Sequence, residues 1–453
     1  MDLIINIYIF IYYQLQYTYH TNTPLFTYTI NSIYLCRDTQ SRTSTTTLTT
    51  TPPSPHHHNQ PTTMSETRMT TYQATEYPSY KYVFTIYSLR FLKWFGYYAC
   101  VNSIYSFCVG KSYFSLGFIG CSIGLYRFIH WIVGYAVVPS TTMSIFQRTN
   151  QDFFEEQLVK IADKYAPHLR RESDKYFSYF PRARQSLRNM GGTELTMMTI
   201  DGVDINGFHI PPSPLAKKTF DKPMAVIMLV ANAEFYEIDG ISSQDCAKYA
   251  RQGFDVIMCN YRGTGKSGTI AGNYGWYRRC GLILDADAAI QYTRDTLKIP
   301  IERMFIITRS LGGAVGTEIA SIRSGINLCN ARSFDTLSKA AECVLGKKWG
   351  PKAALGIRLL GWDFDGLNNW KQINGYKWIE SISNDSLLQS SILFNSFHRD
   401  DDIDMDTLNV LQMKPTRGDT HNRPLTSYEF GKRMEFLLEG VKYVDDSDGK
   451  KDK

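Results

Sequence analysis

Ile306-Ile307-Thr308-Arg309-Ser310-Leu311-Gly312-Gly313 decides the fold of this chain. The apolar run Met304–Ile307 reads as a buried strand and Leu311–Ile322 as a helix, so Ser310 falls at the apex of a sharp strand-to-helix turn. Such a turn lifts a hydroxyl above a parallel sheet, where a base and oxyanion donors can reach it. The stretch follows G-x-S-x-G except that Thr308 takes the first glycine position.

Working outward, Asp201-Gly202 separates the strand-like runs Glu194–Ile200 and Val203–Ile210, a hairpin signal. Strand Ala225–Val230, helix Ser242–Gly253, strand Asp255–Cys259, helix Leu282–Thr296 and strand Met304–Ile307 then alternate. A hairpin followed by βα units predicts an α/β architecture, a mostly parallel sheet with helices on both faces. Ligands in such sheets bind beyond the carboxyl ends of the strands, where Ser310, Asn232 and Tyr261 fall.

A serine hydroxyl is a poor nucleophile unless a histidine takes its proton and a carboxylate orients that histidine. Downstream of Ser310 the histidines are His398 and His421. His421 lies in a polar loop after the strand-like Thr407–Met413, a better position for a base than the end of the apolar helix-like run Leu387–Phe397, where His398 sits. For the acid, Asp385 follows the strand-like Tyr376–Ile382, and Asp401 belongs to an acidic cluster. The 36 residues from Asp385 to His421 leave room for a helix, a loop and a strand, and the 20 from Asp401 do not. Asp385 is therefore preferred, with Asp401 as the alternative. The oxyanion would be met by the backbone N–H of Leu311 and by one from Asn232 or Ala233, in the loop after Ala225–Val230. There Val230-Ala231 stands where a His-Gly pair is usual.

Gly263-Thr264-Gly265-Lys266-Ser267 invites a phosphate-loop reading, but that motif needs glycine where Asn260 stands, and loop-like sequence rather than a helix follows. No nucleotide is expected. The net charge of +6 on 453 residues is no nucleic-acid footprint. Nine cysteines form no C-x-x-C pair and no zinc spacing, so neither disulfides nor a metal are expected.

The N-terminal third has another texture. Residues 1–80 include a threonine- and proline-rich tract with His56–His58 and read as a disordered tail, and Met64 looks like an ordinary start. Residues 81–140 are hydrophobic. Tyr113–Val138 is interrupted only by Arg127 and His130, and about 20 apolar residues span a bilayer. These are read as membrane-anchoring helices, with buried or interfacial helices as the alternative. Residues 141–190 read as an amphipathic, basic linker, 191–440 as the sheet-containing domain and 441–453 as a charged tail.

Three further segments carry a resemblance. Asn260-Tyr261-Arg262-Gly263-Thr264-Gly265-Lys266-Ser267-Gly268 is similar to the Asp-Tyr-Arg-Gly-x-Gly-x-Ser-x-Gly segment of α/β-hydrolases. Asn330-Ala331-Arg332-Ser333-Phe334-Asp335 sits where that superfamily often has an acidic-x-Ser/Pro-Phe-x-Ser stretch. Asn232-Ala233-Glu234-Phe235-Tyr236-Glu237 resembles the Gly-Asn-Ala-x-x-Tyr-Glu loop of the membrane-bound phosphatidylserine-lipase branch. The resemblance implies an α/β-hydrolase fold over roughly 190–440 and cofactor-free hydrolysis of an acyl ester, with a glycerophospholipid as one expected substrate. It also implies a membrane-held protein whose hydrolase domain faces the cytosol. A catalytically silent binding or scaffold protein of the same fold is the competing expectation.

Overall fold

The computed structural model describes residues 70–78, 124, 183–216, 219–232, 234–239, 245–268, 279–389, 392–414, 421 and 423–451. The expected membrane helices of 81–140, nearly all of the expected tail and linker, and Ala233 lie outside the described residues. Among those described, no helix is long and apolar enough to cross a membrane.

Among the described residues nine strands form one sheet: β1 (Thr70–Gln73), β2 (Thr193–Met198), β3 (Asp204–Ile210), β4 (Ala225–Leu229), β5 (Asp255–Cys259), β6 (Met304–Thr308), β7 (Asn327–Ala331), β8 (Lys377–Ile382) and β9 (Val410–Met413). Their spatial order is β1-β2-β3-β5-β4-β6-β7-β8-β9. Only the β2–β3 and β3–β5 pairings are antiparallel. From β2 onward this order, with its single reversed strand, is that of the α/β-hydrolase fold.

The central strands are apolar throughout because both of their faces are covered. Ala225, Ile227 and Leu229 of β4 pack on one side with Ile257 of β5 and Ile306 of β6. The alternate residues Val226, Val256, Phe305 and Ile307 pack on the other. Helices α1 (Tyr236–Asp239) and α2 (Asp245–Arg251) follow β4, and α3 (Arg279–Asp295) follows β5. α4 (Leu311–Ile322) follows β6, α5 (Leu337–Leu359) and α6 (Gly366–Gln372) follow β7, α7 (Leu393–Phe397) follows β8, and α8 (Ser427–Lys451) follows β9. Leu282, Ile283 and Val315 from α3 and α4 cover the first face, and Tyr249 and Leu437 from α2 and α8 cover the second.

Three expectations are corrected. Residues 70–78 are packed on the domain rather than part of a disordered tail: Thr70–Gln73 form β1, paired in parallel with β2, and Glu76 binds Arg294 (2.6 Å) and Arg323 (2.7 Å). The last helix runs to Lys451, past the expected boundary at 440, because Val441 and Val444 are buried on the core. In the run Leu387–Phe397 the α-helix begins at Leu393: the Asp385 carboxylate takes the N–H groups of Leu387 and Leu388 into a turn, and Ile392 bridges to Phe334.

Strand order reverses at β4, with β5 on one side and β6 on the other. At such a switch point the connections leave in opposite directions and open a crevice at the carboxyl ends. The loop holding Asn232 leaves from the end of β4 and the turn holding Ser310 from the end of β6.

Candidate active site

Ser310 has φ 51° and ψ −120°, a backbone conformation that costs a non-glycine residue about 1–3 kcal/mol and needs its surroundings to hold it. Three hydrogen bonds do so. Ser310 N–H donates to the Ala331 carbonyl (3.0 Å), and Gly312 N–H and Gly313 N–H donate back to Arg309 (2.9 Å) and Ser310 (2.8 Å). The glycines let the new helix begin against the sheet. A Cβ on Gly312 would stand 2.6 Å from the Leu229 carbonyl oxygen, and one on Gly313 would stand 2.3 Å from Cβ of Ser333.

Thr308, the departure from the motif, fits without displacing this turn. Its hydroxyl donates to the Cys329 carbonyl at 2.6 Å, and its methyl occupies space left by Gly316, where a Cβ would meet Cγ2 at 2.6 Å. The missing glycine at 308 is matched by a glycine one helical turn into α4.

The structure brings Ser310, His421 and Asp385 into one line. His421 Nε2 is 3.1 Å from Ser310 Oγ, and His421 Nδ1 is 2.8 Å from Asp385 Oδ2. An ionised carboxylate only accepts, so the imidazole proton sits on Nδ1 and Nε2 is left to accept the serine proton. Burial works against the Asp385 charge, yet the hydrogen bond from His421 and the N–H groups of Leu388 and Leu387 hold its carboxyl below the usual range. Asp401 is exposed on a turn, and His398 closes α7 with its ring against Phe394, 5.1 Å between centroids.

On the oxyanion side, Leu311 is the first residue of α4, so its N–H has no acceptor within the helix. In the loop after β4, Ala231 N–H is already taken by the Glu234 carboxylate at 2.8 Å. Asn232, next along the chain, is exposed.

Several supporting residues were not found from the sequence. Glu234 also forms an ion pair with Arg309, closing the loop after β4 onto the serine turn. Arg332, in the left-handed region at φ 49°, sends its buried guanidinium to the carbonyls of His421 and Arg423, both at 2.8 Å. Burial lowers its pKa to about 10, which leaves it a cation at neutral pH. Arg423 in turn binds Glu429 at the start of α8 (2.6 and 2.7 Å). The histidine backbone is therefore clamped to β7 and α8. Arg309 flanks the serine and Arg332 lies in a quoted motif, but nothing in the sequence tells which carboxylate or carbonyl each one meets.

The motif-like segments have structural partners. Asn260 accepts from Tyr236 N–H (3.0 Å) and donates to Glu237 (2.9 Å), and Ser267 Oγ donates to the Asn260 carbonyl (3.0 Å). Lys266 is bound to Glu194 at 2.6 Å. The segment that looks like a phosphate loop thus anchors the loop bearing Asn232.

No family model matches this sequence, and no curated protein does. Among solved structures, the chain is similar to an esterase from Pyrococcus furiosus, at 17% identity over 56% of this chain and 92% of that one, TM-score 0.43. It is also similar to an α/β-hydrolase from Vibrio vulnificus (16% identity, 58% of this chain and 85% of that one, TM-score 0.43) and to an acetyl xylan esterase from Paenibacillus sp. R4 (12%, 57% and 93%, TM-score 0.40).

Proposed function

We propose that this chain is a membrane-anchored serine hydrolase that cleaves acyl esters of lipids. The observation that carries the reading is the buried hydrogen-bonded line from Ser310 through His421 to Asp385 at the switch point of the sheet. In this reading Ser310 Oγ bonds to the acyl carbon while His421 Nε2 takes its proton. Leu311 N–H and an N–H of the Asn232–Ala233 loop stabilise the tetrahedral oxyanion. Collapse breaks the bond to the alcohol, which leaves with the proton from His421. Water then attacks the acyl-serine, gives its proton to His421, and the acid departs as Ser310 recovers its own. Asp385 stays ionised and steadies the imidazolium.

The anchor and the lipid substrate rest on the hydrophobic stretch 81–140 and on the resemblance of residues 232–237 to the phosphatidylserine-lipase loop. The way Thr308 is seated favours catalysis over a silent fold, because the turn beside it keeps its hydrogen bonds.

Activity-based labelling with a fluorophosphonate tests the reaction. The full chain should label and Ser310→Ala should not, with ester hydrolysis falling on the order of 10⁴-fold or more. Asp385→Asn should cost about 10⁴-fold in kcat and Asp401→Asn almost nothing. Equal labelling of wild type and Ser310→Ala would sink the reading. The anchor requires the full chain to stay with membranes through carbonate extraction.

A further inference from the structure

Helix α5 is two short helices in one. Gly346, at φ 66° and ψ −176°, breaks it, and a Cβ on Gly350 would stand 2.7 Å from Cα of Glu342. In a continuous helix, residues eight apart are separated by about 12 Å, so the second half has folded back on the first. Gly350, Ala354 and Ile357 form the buried face of that second half. The opposite face is unusual. Trp349, Leu355 and Leu359 are 56%, 57% and 71% exposed. Lys347, Lys348 and Lys352 are exposed beside them, with the ammonium groups of Lys348 and Lys352 lying 5.8 and 4.9 Å from the Trp349 ring centre. No acidic residue occurs between Cys343 and Leu360.

Scattered exposed leucines need no explanation, but an exposed tryptophan and two leucines set among lysines form the pattern of a helix lying in a lipid interface. There an indole ring prefers headgroup depth, and lysine stems lie along apolar surface while their charges reach for phosphate. The run of cations without acids favours an anionic bilayer over an apolar groove of another protein. The location suits a lipid enzyme. α5 leaves the carboxyl edge of the sheet just after Ser333, which packs on the first turn of α4 beside Ser310.

We propose that the outward face of α5 at Trp349 docks on anionic phospholipid and brings the mouth of the Ser310 site to the bilayer surface. Its use in catalysis rests on the lipid-hydrolase reading above, but the docking does not. The test therefore uses the full chain carrying Ser310→Ala. Its emission, minus that of the same chain carrying Trp349→Phe as well, isolates Trp349. On vesicles of phosphatidylcholine with phosphatidylserine, the difference spectrum should shift to the blue and be quenched by brominated acyl chains, wherever else the chain is attached. Replacing the three lysines by glutamine should weaken docking at least tenfold, since each is worth roughly fivefold at such a surface. The same lysine substitutions in the wild-type background should leave hydrolysis of a short soluble ester unchanged. A Trp349 spectrum that ignores vesicles, or a shift that is equal without phosphatidylserine and indifferent to the lysines, would overturn the proposal. So would a spectrum already blue-shifted without lipid and dependent on protein concentration, which would mean that a second copy covers the face. Failure of fluorophosphonate labelling with docking intact would remove the hydrolase reading alone.

Discussion

Thr308 shows how a single side chain can depart from a motif and leave its geometry whole. A β-branched residue at a glycine position should crowd the turn, and it is accommodated because Gly316 offers it a vacant site and Cys329 a hydrogen-bond acceptor. Gly316→Ala should then clash with Thr308 and cost about 1–3 kcal/mol, as overpacking does. Thr308→Gly should cost about 1–2 kcal/mol through the lost hydrogen bond and the freed backbone. The double variant should be more stable than the sum of the two losses allows, which denaturant titration of all four proteins would reveal. Additive losses would mean that the two positions do not answer one another. At this scale the sequence was legible where chemistry imposes an order. Ser310, Asp385 and His421 fall in the sequence order that a strand-end triad requires, and the spacing to His421 separated Asp385 from Asp401. Arg332 and Glu234 escaped because a charge's partner is set by tertiary contact, and residues 234 and 309 lie 75 positions apart on loops that the sheet brings together.

Among the elements, β8 and α8 are joined by a charge pair inside the core. Arg433 binds Glu380 through two hydrogen bonds, 2.5 and 2.6 Å, and Tyr249 adds a third contact to Arg433 at 3.2 Å. Burial opposes the charge on Glu380, but the Arg433 guanidinium outweighs it and holds the carboxyl below its usual range. Removing one partner of such a pair leaves an unmatched charge, which costs about 3–5 kcal/mol. Arg433→Met should therefore lower Tm sharply, and Arg433→Met with Glu380→Leu should recover much of the loss; calorimetry would measure both. Most helix and strand boundaries were readable because β4, β5 and β6 are nearly continuous apolar runs between polar or glycine-containing loops. Two elements were not. β1 is four residues of mostly polar sequence whose partner lies far along the chain, and the turn after Asp385 is shaped by a carboxylate that overrides an apolar run.

For the molecule as a whole, acid should weaken the fold by a route that passes through the site. Burial raises the Glu429 carboxyl, but its bonds to Arg423 and Thr426 outweigh that and bring it down to about 2 from an ordinary 4.5. A carboxyl lowered by folding adds stability that is complete above its unfolded value and disappears as pH falls toward the folded one. The window is therefore about 4.5 down to 2. Asp201, Glu194 and Asp385 are lowered in the same direction. Asp285 and Asp287 go the other way, both raised by burial; Asp285 reaches about 6 despite Arg262, so its contribution is present at low pH and declines as pH rises toward 6. Glu429→Gln should lower stability at neutral pH and flatten the acid limb of a Tm-against-pH curve. An unchanged limb would show that the Arg423 clamp is not what acid releases.

The strand β1 has a consequence for chain continuity. The described chain leaves the sheet edge at Pro78 and returns at Ala183, so two stretches far apart in sequence are held together by backbone pairing and by Glu76, Arg294 and Arg323. A tether of this length supplies only a low effective concentration, so the contacts themselves must do most of the holding. A protease site engineered between residues 79 and 182 should yield, once cut, two polypeptides that co-purify without denaturant. Substituting Glu76→Ala together with Tyr72→Ala should let the N-terminal piece separate, and release of that piece from the otherwise unaltered protein would show the strand to be held by covalent connection alone.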